Sequence, residues 1–214
     1  MKYSNRKTLI INEIANAITH GIGAVLAIAA LVILIVFATR YGGPWHVVSF
    51  SIYGSTLVLL YLASTLYHSI QNKRVKYIFR IIDHAAIFLL IAGTYTPLTL
   101  VTLREEYGWV IFGLVWGLAI LGVVLKVFFV NKYAVLSTLF YLLMGWLIVF
   151  SIRSLFANLA GISLIFLGAG GLSYTLGIIF YVQKGKLLHH AIWHLFVLAG
   201  SICHFFAIFF ILPL

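Results

Sequence analysis

Acidic residues are nearly missing from this chain, with four Asp and Glu against fourteen Lys and Arg in 214 residues. Charged residues of both signs make up only 8% of it, where a soluble domain keeps about a quarter, so a water-exposed globular fold is excluded. The single cysteine, Cys203, excludes both a disulfide framework and a cysteine metal site within one chain. Alternating ten-residue segments are also missing, which excludes a transmembrane β-barrel. Connections between apolar stretches are short, leaving no room for a hidden soluble domain.

What is present is hydrocarbon. Hydrophobic residues reach 64% and the mean hydropathy is +1.14. Seven apolar stretches are long enough to cross ~30 Å of bilayer as helices: Gly21 to Thr39, Val47 to Ile70, Tyr77 to Val101, Gly108 to Val130, Tyr133 to Phe150, Ala160 to Val182 and His190 to Leu212. The expectation is an all-α, multi-pass cell-membrane protein with one seven-helix domain over residues 1–214. Residues 1–20 form a cytoplasmic segment leading into the first helix. The polar start is long and lacks a small-residue cleavage site, so the first helix is expected to be retained.

The net charge of +10 does not point to nucleic acid, because the cations sit on alternate connections. Lys2, Arg6 and Lys7 precede the first span; Lys73, Arg74, Lys76 and Arg80 lie at the second connection, Lys126 and Lys132 flank the fourth span's end, and Lys184 and Lys186 form the sixth connection. The other side has only Arg40, Arg104 and Arg153, beside Glu105 and Glu106. This positive-inside pattern predicts a cytoplasmic N-terminus and an extracytoplasmic C-terminus. Tyr41, Trp45, Tyr107 and Trp109 at one set of ends, and Tyr77, Tyr133 and Tyr181 at the other, fit aromatic belts.

Within that topology the ionisable residues of the spans collect at one level. His68 and Ser64 fall at the inner end of the second span, Asp83 near the start of the third, and His190 and His194 at the start of the last. Glu13, Asn16 and His20, spaced by three and four residues, share a helical face entering from the same side. Ionisable side chains in a bilayer cost a few kcal/mol or more, so those retained usually carry function. His46 and His204 fall toward the outer side, apart from this group.

His190 and His194 at i, i+4 stack two imidazoles on one helix face, as a helix does when presenting two nitrogens to a tetrahedral ion. A third imidazole from His68 leaves one coordination position open, the pattern of catalytic zinc sites. Copper, iron and nickel also accept imidazole, so spacing alone does not choose the metal. Asp83 can bind the ion or hold its water. Each residue also has an ordinary explanation. The H-x-x-x-H spacing arises by chance in a histidine-bearing helix, Asp83 can pair with Arg80 one turn earlier, and Ser64 can bond its own helix backbone. Glu13 alone reads as an interfacial carboxylate at a helix start. His84 points about 100° away from Asp83 and reads as a packing residue, and His189 as a wet one. Gly113 and Gly117 form G-x-x-x-G, explained ordinarily by close helix packing, with a dimer face as the alternative. Pro97 should kink the third helix, with neighbouring hydroxyls rescuing the freed backbone group.

Taken together, Glu13-Ile-Ala-Asn16-Ala-Ile-Thr19-His20, Ser64-Thr-Leu-Tyr-His68, Asp83-His84 running to Gly-Thr-Tyr-Thr-Pro97, and His190-Ala-Ile-Trp-His194 resemble the hemolysin III family. That family groups with the progestin and adipoQ receptors, which include the adiponectin receptors, and more distantly resembles alkaline ceramidases. The resemblance covers essentially the whole chain. It implies seven helices, a cytoplasmic N-terminus, and one zinc ion per chain held by His68, His190 and His194, with Asp83 holding the zinc-bound water and Ser64 nearby. Glu13, Asn16 and His20 would line the entrance or support the ligands. Three functions are open on this reading. They are a zinc-dependent amide or ester hydrolase acting on a membrane lipid, a sensor of membrane state with a structural metal, and a haemolytic pore-forming protein.

Overall fold

The computed structural model describes residues 6–183 and 186–213. Lys2 and Lys184, two of the cations in the orientation argument, lie outside the described residues. Among the described residues seven helical segments are long and apolar enough to cross a membrane. In chain order the helices are α1 (Arg6–Tyr41), α2 (Pro44–Ser69), α3 (Lys73–Pro97, continued by a π-helical turn Leu98–Thr102), α4 (Gly108–Phe129), α5 (Ala134–Trp146), a 3₁₀ turn (Leu147–Ser151), α6 (Ile152–Asn158), α7 (Gly161–Val182) and α8 (His189–Phe209). α5, the 3₁₀ turn and α6 together make the fifth span.

Sequential neighbours pack together from α1 to α4, α7 pairs with α8, and α8 closes the ring against α1. α3 is the most enclosed span. Large apolar side chains such as Val110, Phe128, Leu136 and Phe150 face outward, the surface suited to a lipid solvent in which burial alone does not drive helices together.

Local chemistry sets the helix starts. Pro44 occupies the first turn of α2, where its missing N–H costs nothing, and Asn72 caps α3 by accepting from the backbone N–H groups of Arg74 and Val75. α1 begins fifteen residues before the apolar stretch read from the sequence, at Arg6 rather than Gly21. Its 36 residues span ~54 Å, far more than ~30 Å of hydrocarbon. Apolar periodicity marks the membrane-crossing part of a helix, not the part that continues past it. The amino-terminal extension carries Asn12, Glu13, Asn16, Thr19 and His20, so these side chains sit on a rigid helix rather than on a loop.

Two irregular stretches are satisfied internally, as hydrocarbon requires. After Pro97 the helix continues as a π turn, and the hydroxyls of Thr94, Thr96 and Thr99 donate to the carbonyls of Leu90, Ala92 and Tyr95. At the break in the fifth span the Tyr95 hydroxyl lies 3.0 and 2.9 Å from the carbonyls of Met144 and Gly145 and accepts from the Ile148 N–H at 2.7 Å. One phenol on α3 therefore stands in for the backbone partners that the 3₁₀ turn forfeits. That turn carries the span on to Asn158, so Arg153 lies within α6 rather than in a connection.

A hydroxyl knot joins α2, α7 and α8. Tyr61 and Tyr174 both lie 2.8 Å from the Ser201 Oγ. Gly23 lets α1 lie against the Tyr61 ring, which any side chain there would strike.

Two sequence expectations change here. Lys126 does not flank the fourth span but lies buried within it, donating to the Ser137 Oγ at 2.7 Å. Among the described residues Gly113 and Gly117 face open space and pack against no helix.

Candidate metal centre

Four helices bring their polar residues to one end of the bundle: the start of α1, the end of α2, and the starts of α3 and α8. Two contacts from α1 fix the start of α8. The Asn12 Oδ1 accepts from the Leu188 N–H at 2.8 Å, holding the residue before α8, which has a left-handed backbone with φ 60°. One turn further in, the Thr19 Oγ lies 3.1 Å from the Nδ1 of His194.

The three imidazoles of His68, His190 and His194 converge. One nitrogen from each lies within 4.8 Å of the others, and His68 and His194 are buried while His190 is half-buried. The hydrogen bonds around them specify which nitrogens are free. His68 presents its Nδ1 to the Glu13 Oε2 at 3.0 Å. A carboxylate only accepts, so this nitrogen carries the proton. Thr19 gives its own proton to the carbonyls of Ala15 and Asn16, so the His194 Nδ1 must donate to it. Both Nε2 atoms are thereby left with lone pairs, and both are buried without a protein partner among the described residues.

That is the arrangement by which ligating histidines are held, with one ring nitrogen on a carboxylate or hydroxyl and the other on the ion. In a tetrahedral site with ~2.0–2.1 Å Zn–N bonds, ligand nitrogens stand about 3.4 Å apart, so the cluster needs to contract by little more than an ångström. The residues fit a metal ion.

The remaining expected residues are placed as follows. Glu13 is no simple interfacial carboxylate. Its Oε2 takes both the His68 ring and the Lys76 ammonium, the latter at 2.9 Å. The Asn16 amide lies 3.4 Å from the same His68 nitrogen. His20 stacks on His194, with ring centroids 3.4 Å apart and planes 13° apart, and both its nitrogens are buried without a partner among the described residues. Asp83 is not among the converging ligand atoms. Its side chain is 14% exposed and lies 3.4 Å from the Nδ1 of His84, which donates to the Arg80 carbonyl at 2.8 Å and stands outside the imidazole cluster. No Asp83–Arg80 ion pair forms among the described residues. Ser64 lies beside Asp83, and its Oγ is buried without a hydrogen bond of good geometry, so the expected bond to its own helix is not made. His189 is half-buried with its ring 5.7 Å from that of Phe180 rather than fully wet. Asn12 and Thr19 were missed as site residues because their roles depend on a helix more than 170 positions away in the chain.

Asp83 and His20 also open onto a cavity of about 420 Å³ bounded by α3, α5, α6, α7 and α8. Its wall is overwhelmingly apolar and runs along α3 from Asp83 to Leu98, a rise of ~22 Å. His204, expected to stand apart, lines the same cavity. It stands ten residues along α8 from His194, and position along a helix does not reveal that α8 turns this ring inward.

The fold and site define a multi-pass helical membrane protein with a buried three-histidine cluster able to hold a metal ion. The family model described as "Haemolysin-III related" matches residues 8–205. The chain is 54% identical over 200 residues to "Hemolysin-3 homolog" of Bacillus subtilis (strain 168), covering 92% of this chain and 93% of that one. It is 50% identical over 213 residues to "Hemolysin-3" of Bacillus cereus, covering 99% and 97%. "Monocyte to macrophage differentiation factor" of Homo sapiens is 31% identical over 204 residues, covering 91% and 82%. This chain belongs to the haemolysin-III-related family.

Proposed function

We propose that this protein is a zinc-dependent hydrolase acting on the amide or ester bond of a membrane lipid. The observation that carries the reading is a three-imidazole cluster set beside a long apolar cavity, which His20, stacked on His194, and the unliganded carboxylate of Asp83 both line. The positive-inside pattern puts this site at the cytoplasmic leaflet of the cell membrane, with the N-terminus inside and the C-terminus outside.

His68, His190 and His194 would hold the ion, leaving one of four positions open. When bound, zinc supplies Lewis acidity, polarising a carbonyl and bringing the pKa of a coordinated water near 7. Asp83 orients the attacking water and accepts its proton, with Ser64 beside it to donate to the carboxylate. Glu13 and Thr19 hold the His68 and His194 rings in the tautomer that ligation needs. The cavity binds the acyl chain and excludes water from it, and its volume lies within the range of ligand pockets that enclose most of their occupant.

The test is turnover of amide-linked and ester-linked acyl lipids by purified protein in detergent or vesicles, compared with Asp83→Asn and His68→Ala. Release of fatty acid by the wild type alone supports the reading, and equal release by all three ends it.

A second reading is a sensor of membrane state with a structural metal. It is favoured by the placement of the ligands on α2 and α8, which are not sequence neighbours and which a shared ion would tie together. Loss of thermal stability on chelation, with no hydrolysis of any acyl lipid, would select it.

A further inference from the structure

The histidine cluster lies between two spaces of different character. The long apolar cavity is lined by His20 and Asp83 but by none of His68, His190 and His194. A second space, a groove of about 440 Å³, lies between the amino-terminal extension of α1 and the α2–α3 connection. His68 and Glu13 both line it, together with Ser69, Gln71 and Lys76. Ser69 and Gln71 are exposed, and exposure then falls inward, from 35% at the Glu13 side chain to 4% at that of His68. The groove thus runs from the surface to a carboxylate one hydrogen bond, 3.0 Å, from a ligand ring.

Glu13 uses its two oxygens differently. Oε2 holds both the His68 Nδ1 and the Lys76 ammonium. Oε1 makes no hydrogen bond among the described residues and is not among their enclosed polar atoms, so its lone pairs are available. Carboxylate oxygen is itself a ligand for zinc. Lys76 does not turn the groove into a barrier for cations, because its charge is matched by Glu13 at 2.9 Å and its ammonium stands over the Tyr67 ring at 5.1 Å.

A divalent cation bound for three enclosed imidazoles must exchange its waters for protein ligands one at a time, since an ion stripped of water in apolar surroundings is prohibitively unstable. The apolar cavity offers no such succession of ligands. The groove does, with water at its mouth and a free carboxylate oxygen beside His68.

We infer that this groove is the route by which the metal ion enters and leaves the three-histidine centre, and that the Glu13 Oε1 is its first protein ligand on the way in. The inference rests on the centre holding a metal, as the proposed function has it, but not on hydrolysis. It gives Glu13 a part in loading beyond its hold on the His68 ring, and in the orientation proposed above it makes loading a cytoplasmic event.

The experiment uses purified full-length Gln71→Cys in a Cys203→Ala background, which removes the free cysteine among the described residues. Zinc uptake, and zinc release to excess chelator, are followed by stopped flow with a fluorescent zinc indicator. Each is measured before and after labelling with a bulky methanethiosulfonate, and again after reduction by a phosphine. Glu105→Cys, 84% exposed in the α3–α4 connection at the other end of the bundle, is the control, and Ser69→Cys repeats the test on the same wall of the groove. Labelling of Gln71→Cys is expected to slow both uptake and release by roughly tenfold or more, reversibly, with zinc content at equilibrium unchanged and the control unaffected. Glu13→Gln should take up zinc roughly tenfold more slowly, whereas a residue that only positions the His68 ring would alter release alone. Unchanged rates in fully labelled Gln71→Cys and Ser69→Cys, the same slowing in Glu105→Cys, or normal uptake by Glu13→Gln overturns the inference while leaving the three-histidine centre standing. A protein that takes up no zinc overturns both.

Discussion

The Thr19 hydroxyl on α1 lies 3.1 Å from the Nδ1 of His194 on α8, and its own proton is committed to the carbonyls behind it. A threonine so placed can only accept from the ring, which leaves the His194 Nε2 with a lone pair and no protein partner among the described residues. Thr19→Val keeps the shape of the side chain and removes the acceptor. Metal affinity is expected to fall roughly 10–100-fold, measured by competition with a chelator, with helical content by circular dichroism unchanged.

Glu13 holds the His68 ring and the Lys76 ammonium on the same oxygen. Glu13→Gln loses the charge that favours a donating Nδ1, and should weaken metal binding by at least tenfold. Lys76→Met touches the ion only through Glu13 and is expected to weaken it less. The reverse ranking in the same chelator competition would contradict this account of Glu13.

Asp83 stands outside the group of converging nitrogens, so its loss should separate metal binding from chemistry. Asp83→Asn is expected to retain about one metal per chain while any lipid hydrolysis falls 10²–10⁴-fold. Paired metal analysis and fatty-acid release check this.

Imidazoles ligate only as neutral rings, and protons compete with the ion for the same lone pairs. As pH falls, the protonated cluster gains on the metal-bound one, so metal retention should fall with it. Dialysis at stepped pH followed by metal analysis gives the curve. The alanine variant of any one ligand histidine should move that loss to higher pH.

Tyr95→Phe removes the hydroxyl that serves the Met144 and Gly145 carbonyls and the Ile148 N–H. Backbone groups stranded in hydrocarbon cost about 1–3 kcal/mol, so a clear fall in the thermal unfolding midpoint is expected, with metal content unaffected because the break lies far along the cavity from the histidines.

Hydropathy made the seven spans legible, and the depth of each polar residue followed from where its span begins. His68, His190 and His194 could be grouped that way because depth is a one-dimensional quantity that a sequence carries. Rotation about the helix axis is not. The sequence therefore left open whether Asp83 paired with Arg80, and it set Lys126 at the edge of its span and His204 apart when both side chains turn inward. The helical extension of α1 was illegible for a different reason. Its stability comes from packing and from contacts such as Asn12 with the Leu188 N–H, not from an apolar run. Gly113 and Gly117 carry the spacing of a packing motif but meet no partner among the described residues, since small residues permit a close approach without requiring one.

X-ray absorption at the zinc edge of the purified protein, with total metal measured on the same sample, tests the three-histidine centre most directly. The account predicts about one zinc per chain with three imidazole nitrogens at ~2.0–2.1 Å, and loss of that signal in His68→Ala, His190→Ala and His194→Ala. Substoichiometric metal in the wild type, or an unchanged spectrum in any of the three variants, would contradict it.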